Sequence, residues 1–427
     1  MTRYGFVSIA LLGALGVVRS AAADEPAIED VSKLTVQNLA ELQAAREHST
    51  AAEEQSKSAR GHLLPSVHVS DEYQYWNSPF VIQFGPQGFT ARNQNTNTFA
   101  VSGRQPLLGL LRGTQDYKAR STGAEAAVAG VKVSESDART DVELEYLRLF
   151  QAKARSDIAE ASANELAQEV TQTAARVKAG TLTNADLLRI QVAEANARQE
   201  VIVADAEATV SRGIILSAIG RSPEDTTTRF APPTALLAQA DVPAVRPEDA
   251  VGRRPEMRQA QLRAESADHD ERARLYALLP EVDLEAAYIR TDGQVFAPAN
   301  SAFVGVKADW SIWEWGAKSS AHGAAEAESR VALRDVEATR RRVLREVAAR
   351  RATLGSAASA VTLARQNIAS AEEAYRVTAV QVRAGTSTTT DLLNAESALT
   401  EARLKLENAR YAHAAARILL ERALGLR

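Results

Sequence analysis

Two segments of the sequence are near copies of each other: residues 176–188 read RVKAGTLTNADLL, and residues 381–393 read QVRAGTSTTTDLL. Eight of the 13 positions are identical at a constant offset of 205 residues, and the register continues without a gap to Gly220 and Gly425. In each segment a Gly-Thr turn separates two helical patterns. The sequence therefore predicts an internal repeat, in which two copies of one unit follow each other along the chain.

A second pair of matching segments marks the junctions between helices and strands. Leu-Leu-Pro-Ser-Val occupies residues 63–67, and Leu-Leu-Pro-Glu-Val occupies residues 278–282. Proline cannot continue a helix, and after it the hydrophobic pattern alternates with period two, which indicates strands with one apolar face. Turn-rich stretches follow, and second strands are expected at about 96–108 and 301–313. We therefore expect one β-hairpin in each copy.

Long helical hairpins account for the rest of each copy. After Gly113 and Gly316 the chain runs about 65 residues without proline to Gly180 and Gly385, which corresponds to roughly 100 Å of α-helix. The returning helices carry apolar residues at alternating spacings of three and four, the pattern of an antiparallel coiled coil. The expected domains are a first repeat at 24–222, an irregular linker at 223–247 and a second repeat at 248–427.

The N-terminal segment and the composition narrow the class of protein. Arg3 precedes an apolar stretch, and three alanines end at residue 23, so residues 1–23 are predicted to be a cleaved signal peptide. The chain has no cysteine, which excludes disulfides, thiol nucleophiles, Cys-ligated metals and a lipid anchor on a mature N-terminal cysteine. A net charge of -4 argues against nucleic acid as a partner.

The aromatic residues are concentrated in the predicted hairpins. Of the 20 that follow the signal peptide, 13 lie within residues 73–99 and 288–315, including all four tryptophans. Trp76, Trp310, Trp313 and Trp315 lie near predicted strand ends, where a membrane barrel carries its aromatic girdles. Four strands cannot close a barrel, so this interpretation requires an oligomer. A hairpin that binds a protein partner is the alternative.

Taken together, these motifs give the whole mature chain a clear resemblance to TolC-type outer-membrane factors. The motifs are the two Leu-Leu-Pro junctions, Ile-Trp-Glu-Trp-Gly at residues 312–316 and the two Gly-Thr turns. The resemblance implies a homotrimer whose four-stranded contributions form a 12-stranded barrel in the outer membrane, continued by an α-helical tunnel into the periplasm. It also implies an exit duct for tripartite efflux or type I secretion, with a periplasmic adaptor and an RND- or ABC-type inner-membrane pump as partners.

In this family the helical turns form the tip that constricts the tunnel and meets the adaptor. The resemblance thus assigns adaptor contacts to Gly180, Thr181, Gly385 and Thr386. Asp391 matches the position whose carboxylates ring the tunnel entrance; three such carboxylates would favour cations, and their pKa values should rise. The other expected gate residues are Asn394, Asp186, Arg189, Arg176 and Arg383; the last two are expected to substitute for a basic residue that one member of the family carries where this chain has Ser387. Helix capping is the alternative role for Asp186 and Asp391.

Motifs of enzymes are not found in the sequence. There is no Gly-x-Ser-x-Gly, no Walker loop and no His-Glu-x-x-His, and the six histidines have no metal-ligand spacing. We therefore expect no catalytic residues, no metal and no cofactor. Two other classes remain open, a periplasmic coiled-coil adaptor and a structural scaffold protein.

Overall fold

In the computed structural model, which describes residues 25–238 and 242–427, the elements occur in two similar series. The first contains α1 (Ile28–Asn38), α2 (Ala40–Gly61), β1 (Ser66–Tyr75), β2 (Phe80–Phe84), β3 (Gln87–Pro106), α3 (Gly109–Lys178) and α4 (Asn184–Ala218). After a short α5 (Thr234–Ala238) come α6 (Pro247–Arg253), α7 (Pro255–Tyr276), β4 (Glu281–Gln294), β5 (Asn300–Asp309), α8 (Ala317–Arg383) and α9 (Thr389–Ala423). The signal peptide expected at 1–23 lies outside the described residues.

All five strands belong to one antiparallel sheet in the order β1-β3-β4-β5, with β2 pairing with the part of β3 that is farthest from the helices. The register places Val69, Val101, Tyr288 and Ala302 in one row across the sheet, and His68, Ser102, Ala287 and Phe303 in the next row. Because side chains alternate between faces, one face is mostly apolar and the other mostly polar. The predicted apolar face is therefore present, and β1 and β5 form the two edges of the sheet.

Strand boundaries differ from the expected ones in two places. β3 begins at Gln87 instead of about 96, because Gly85 and Pro86 form a tight turn with Gly85 at φ 65°, and β2 pairs back onto β3. The fifth strand, β2, was not expected, since the turn residues around it suggested a loop. At the other end, β5 stops at Asp309, so Trp310 and Trp313 lie outside the sheet.

The two long helices run away from the sheet and each packs against a returning helix. α3 has 70 residues and α8 has 67, which gives lengths of about 100 Å. α4 returns along α3, and α9 returns between α3 and α8. The predicted coiled-coil seam is confirmed, because its residues are buried or half-buried, among them Ile190, Ala204, Leu392 and Leu399.

Halfway along the molecule, at a level that we call the equator, the returning helices end and the short ones begin. Gly220 and Gly425 end α4 and α9 with φ of 78° and 67°. A Cβ atom on Gly220 would lie 3.1 Å from the Cβ atom of Asn38, and one on Gly425 would lie 2.8 Å from that of Arg253. The two copies therefore repeat the same close contact. Between the equator and the sheet, α2 and α7 pack on α3, and α7 also packs on α8.

The largest apolar core lies at the equator on the side of the first copy. Tyr146 is completely buried there, with its ring centroid 5.2 Å from that of Phe150 and 5.8 Å from that of Phe230. Its hydroxyl lies 3.1 Å from the carbonyl oxygen of Pro26 and 2.5 Å from that of Ala231. This core thus joins the N-terminal segment and the linker to α3.

Candidate functional site at the helical turns

The two turns far from the sheet have the same backbone geometry. Gly180 and Gly385 adopt φ of 74° and 77°, a left-handed conformation that costs glycine little. The following threonines close each helix: the backbone N–H of Thr181 donates to the carbonyl oxygen of Arg176, and that of Thr386 donates to Gln381, both at 2.9 Å. The Gly-Thr pairs are therefore built as helix ends. All four of these residues are exposed to solvent.

A capping box starts each returning helix. The backbone N–H of Asp391 donates to the hydroxyl oxygen of Thr388 at 3.2 Å, and a carboxylate oxygen of Asp391 accepts from the backbone N–H of Thr388 at 2.9 Å. Asp186 and Thr183 make the same pair of bonds at 3.3 and 3.2 Å. The contacts of the capping role are thus present at both aspartates.

Hydrogen bonds at the turns hold the two carboxylates in their ionised form. The Thr388 hydroxyl and backbone, followed by the Ser387 hydroxyl at 2.8 Å, lower the pKa of Asp391, and the Thr183 hydroxyl and backbone lower the pKa of Asp186. Within one chain these pKa values are therefore lowered, whereas a ring of three carboxylates is expected to raise the pKa of each. The hydroxyl of Ser387 therefore binds the candidate gate residue Asp391.

Arg189 connects the two turns of one chain. Its guanidinium lies 3.7 Å from the carboxylate of Asp186 and donates to the hydroxyl of Thr390 at 3.3 Å. Sequence reasoning did not find Thr390, because it lies 201 residues away and nothing in the local pattern links it to Arg189. Arg176 is half-buried and Arg383 and Asn394 are exposed. Within the described ranges, neither Arg176 nor Arg383 forms an ion pair.

A buried carboxylate near the turns was also not predicted from the sequence. Glu396 follows Asp391 by five residues on α9 and lies against α3, where it accepts hydrogen bonds from the hydroxyl of Ser162 and, at 3.0 Å, from that of Thr400. The signal in the sequence was a glutamate among the apolar residues of the coiled-coil seam. Its polar partners provide the hydrogen bonds that a buried carboxylate requires.

The four tryptophans lie at the two ends of the sheet. Trp76 follows β1 at the end away from the helices, with the Arg92 guanidinium 3.5 Å above its ring. Trp310, Trp313 and Trp315 lie between β5 and α8, and their exposed fractions are 59%, 74% and 88%. Trp315 has φ 53° and Gly316 has φ 79°, so two successive left-handed residues make this connection.

Neither a metal site nor a membrane-spanning helix occurs in the part of the chain that the structure describes. Among residues 25–238 and 242–427, no group of three or more His, Cys, Asp or Glu side chains is arranged to hold a metal ion. Over the same residues, no helix combines the length and apolar character needed to cross a membrane.

The chain is similar to known outer-membrane proteins in sequence and in fold. Residues 247–426 match the family described as outer membrane efflux protein. The chain is 21% identical to the outer membrane efflux protein BepC of Brucella suis biovar 1 (strain 1330), over 74% of this chain and 70% of BepC. Among solved structures, the outer-membrane channel OprN has a TM-score of 0.81 at 20% identity, covering 93% of this chain and 89% of OprN. The CmeC outer membrane channel of Campylobacter jejuni has a TM-score of 0.83 at 13% identity, covering 93% and 85%. The expected TolC-like fold is confirmed.

Proposed function

We propose that this chain, which over residues 247–426 matches the outer membrane efflux protein family, is the outer-membrane exit duct of a tripartite efflux pump or a type I secretion system. It conducts substrates passively from an inner-membrane pump across the periplasm and the outer membrane. The relatives named above are an efflux protein and outer-membrane channels, which supports this role. Their family is one of transport ducts and not of enzymes.

The observation that carries the proposal is the two-faced sheet with open edges. On one face Val67, Val69, Tyr73 and Val304 are 60–76% exposed, although they are large apolar side chains. Such a face needs an apolar environment, which a bilayer supplies, while the polar face would line a water-filled lumen. Unpaired strand edges are not tolerated in lipid, so the edges β1 and β5 must pair with other copies.

A homotrimer satisfies this requirement, because three sheets of four full-length strands would give a barrel of 12. The edge helices support such an assembly with a second seam on their outer faces. On α4, Leu188, Val192 and Ile202 are 54–70% exposed at helical spacing, and on α8 Leu363 and Val380 are 59% and 53% exposed. Pairing of α4 with α8 of the next copy would bury both seams and close the tunnel.

The turns would then lie at the periplasmic end of the duct. There Gly180, Thr181, Gly385 and Thr386 would meet a periplasmic adaptor protein, and the pump below it would be of the RND or ABC type. Asp391, with Asn394 one turn later, would ring the entrance, while Arg189 and Asp186 would hold the two turns of each copy together. Opening would require the adaptor or the pump to separate these turns between copies.

The test is to express the full chain in a Gram-negative host, fractionate the membranes and purify the protein in detergent. We expect it in the outer membrane as a trimer that dissociates on heating, with ion conductance in planar bilayers. A water-soluble monomer without conductance would contradict the proposal and favour a periplasmic adaptor or scaffold.

A further inference from the structure

The half of α8 next to the sheet carries a row of arginines on the side that faces away from the protein. Val343 and Val347 are buried on the inner side. Arg334, Arg341 and Arg345 lie on the opposite side, seven and four residues apart, and all three are exposed. We call these three residues the arginine stripe. Between residues 330 and 351 the helix has eight arginines and three acidic residues, so the region is strongly positive.

α2 and α8 are the two edge helices of the layer that α2, α3, α7 and α8 form next to the sheet. The outer side of α2 has the complementary charge. Leu42 and Ser49 face α3 and are buried. Glu47 and Glu54 lie on the opposite side and are exposed, and we call them the acidic stripe. Ala44 and Ala51, also exposed, lie beside them, so a second helix could approach this side closely.

The two stripes lie at similar heights along the molecule. α2 and α7 each have 22 residues, begin after a single non-helical residue (Leu39 or Arg254) at the equator and end next to the sheet. The guanidinium of Arg254 lies 3.2 Å from the carboxylate of Glu346, and this ion pair fixes the height of α8 relative to the start of α7. At 1.5 Å per residue, Glu47 and Glu54 lie about 12 and 22 Å above Leu39, and Arg341 and Arg334 lie about 8 and 18 Å above Glu346. Because the two glutamates and the two arginines are each seven residues apart, one shift along the axis brings each arginine level with one glutamate.

We propose that the acidic stripe of one copy docks against the arginine stripe of the next copy in the assembled trimer. The inference rests on the trimer of the proposed function, and it adds which surfaces meet in the upper half. Rotation about a common axis keeps every residue at its height, so the matched heights within one chain are also matched between neighbours. Glu47 would pair with Arg341 and Glu54 with Arg334, and Arg345 would lie about one helical turn below Arg341.

The partners that these groups have within one chain leave them available for this contact. Arg341 pairs with Glu337 on its own helix at 2.8 Å, and Glu54 pairs with Lys57 at 2.8 Å, yet the Arg341 and Glu54 side chains remain 72% and 64% exposed. Arg334, Arg345 and Glu47 form no ion pair within the described part of the chain. Complementary charges of this kind fix which surfaces meet and in what register. The alanine-rich contact alone would leave that register loosely defined.

Cross-linking tests the contact directly, because the chain has no native cysteine. Full-length protein with Glu47→Cys and Arg341→Cys is treated in the membrane with a short bis-maleimide and then boiled in SDS. We expect covalent dimers and trimers. The control is Glu47→Cys with Arg340→Cys, because residue 340 is turned by about 100° around α8. It should give several-fold less product. An intact trimer that cross-links equally in both variants would overturn the inference and leave the proposed function standing, whereas absence of any oligomer would contradict both.

Charge reversal and its rescue provide the second test. Arg334→Glu with Arg341→Glu should lower the trimer fraction at low ionic strength at least twofold, and adding Glu47→Arg and Glu54→Arg should restore it. The matched control, Arg340→Glu with Arg342→Glu, changes the charge of the helix equally and should assemble normally. Circular dichroism checks that each variant is helical. If the fourfold variant assembles no better than the double reversal, the stripes do not meet.

Discussion

At the scale of single residues, the Tyr146 hydroxyl is expected to contribute measurably to stability. Burial raises its pKa, so the hydroxyl stays protonated and serves the carbonyl oxygens of Pro26 and Ala231. Tyr146→Phe would remove this donor from the carbonyl oxygen of Ala231, while that of Pro26 keeps a bond from the backbone N–H of Ala231 at 3.4 Å, and we expect a loss of about 1–3 kcal/mol in the free energy of unfolding. Urea unfolding of the purified protein measures it. Tyr117→Phe is the control, since the Tyr117 hydroxyl forms no hydrogen bond within the described ranges. Equal effects of both changes would refute this role.

The carboxylate of Asp391 allows the gating and capping interpretations to be separated. Both predict weaker helix capping in Asp391→Ala, but the gating interpretation alone predicts altered conductance and weaker block by multivalent cations in planar bilayers. Thr388→Ala is the matched control, because it removes the hydroxyl of the same capping box and leaves the Asp391 carboxylate in place. Equal channel behaviour of both variants and the native protein would leave Asp391 as a cap.

Titration adds a second criterion for Asp391. Its hydrogen bonds lower its pKa, so the capping contribution to stability is present above about pH 4 and is lost as the pH falls through the lower folded value. If three carboxylates approach each other in the trimer, repulsion raises the pKa instead. Cation block would then weaken between pH 7 and pH 5, whereas isolated caps would keep the block constant over that range.

At the scale of elements, the Gly-Thr turns depend on a backbone conformation that other residues avoid. Gly385 has φ 77° and no atom within 4 Å of a Cβ position, so Gly385→Ala tests conformational strain without a steric clash. A left-handed alanine costs about 1–2 kcal/mol, and hydrogen exchange should quicken around residues 381–391. Gly355→Ala is the control: Gly355 lies inside α8, also with open space, and the change should stabilise the helix by about 0.5–1 kcal/mol. No difference between the two variants would contradict this account of the turn.

The elements also show what could be predicted from the sequence. The helix ends at Leu-Leu-Pro and Gly-Thr were predictable because proline and left-handed glycine act locally, and the coiled-coil seam was predictable because its period is regular. β2 was not, since its five residues form a strand through pairing with β3. At the turns, the position of each aspartate at the start of a helix indicated the caps, but the bond from Arg189 to Thr390 depends on how two distant helices come together.

At the scale of the whole molecule, the two faces of the sheet predict which substitutions prevent insertion into the membrane. Val304 and Phe303 are neighbours on β5 and are 76% and 50% exposed, but they point to opposite faces. If the apolar face meets lipid, Val304→Arg places a charge there at a cost of about 2–4 kcal/mol near the bilayer midplane. Phe303→Arg places the same charge in the lumen, where water solvates it. We therefore expect Val304→Arg to reduce the heat-dissociable trimer in the outer membrane, while Phe303→Arg preserves the trimer and changes its ion selectivity. Equal loss in both variants would indicate that both faces are packed against protein, and the lipid-facing assignment of the sheet would be wrong.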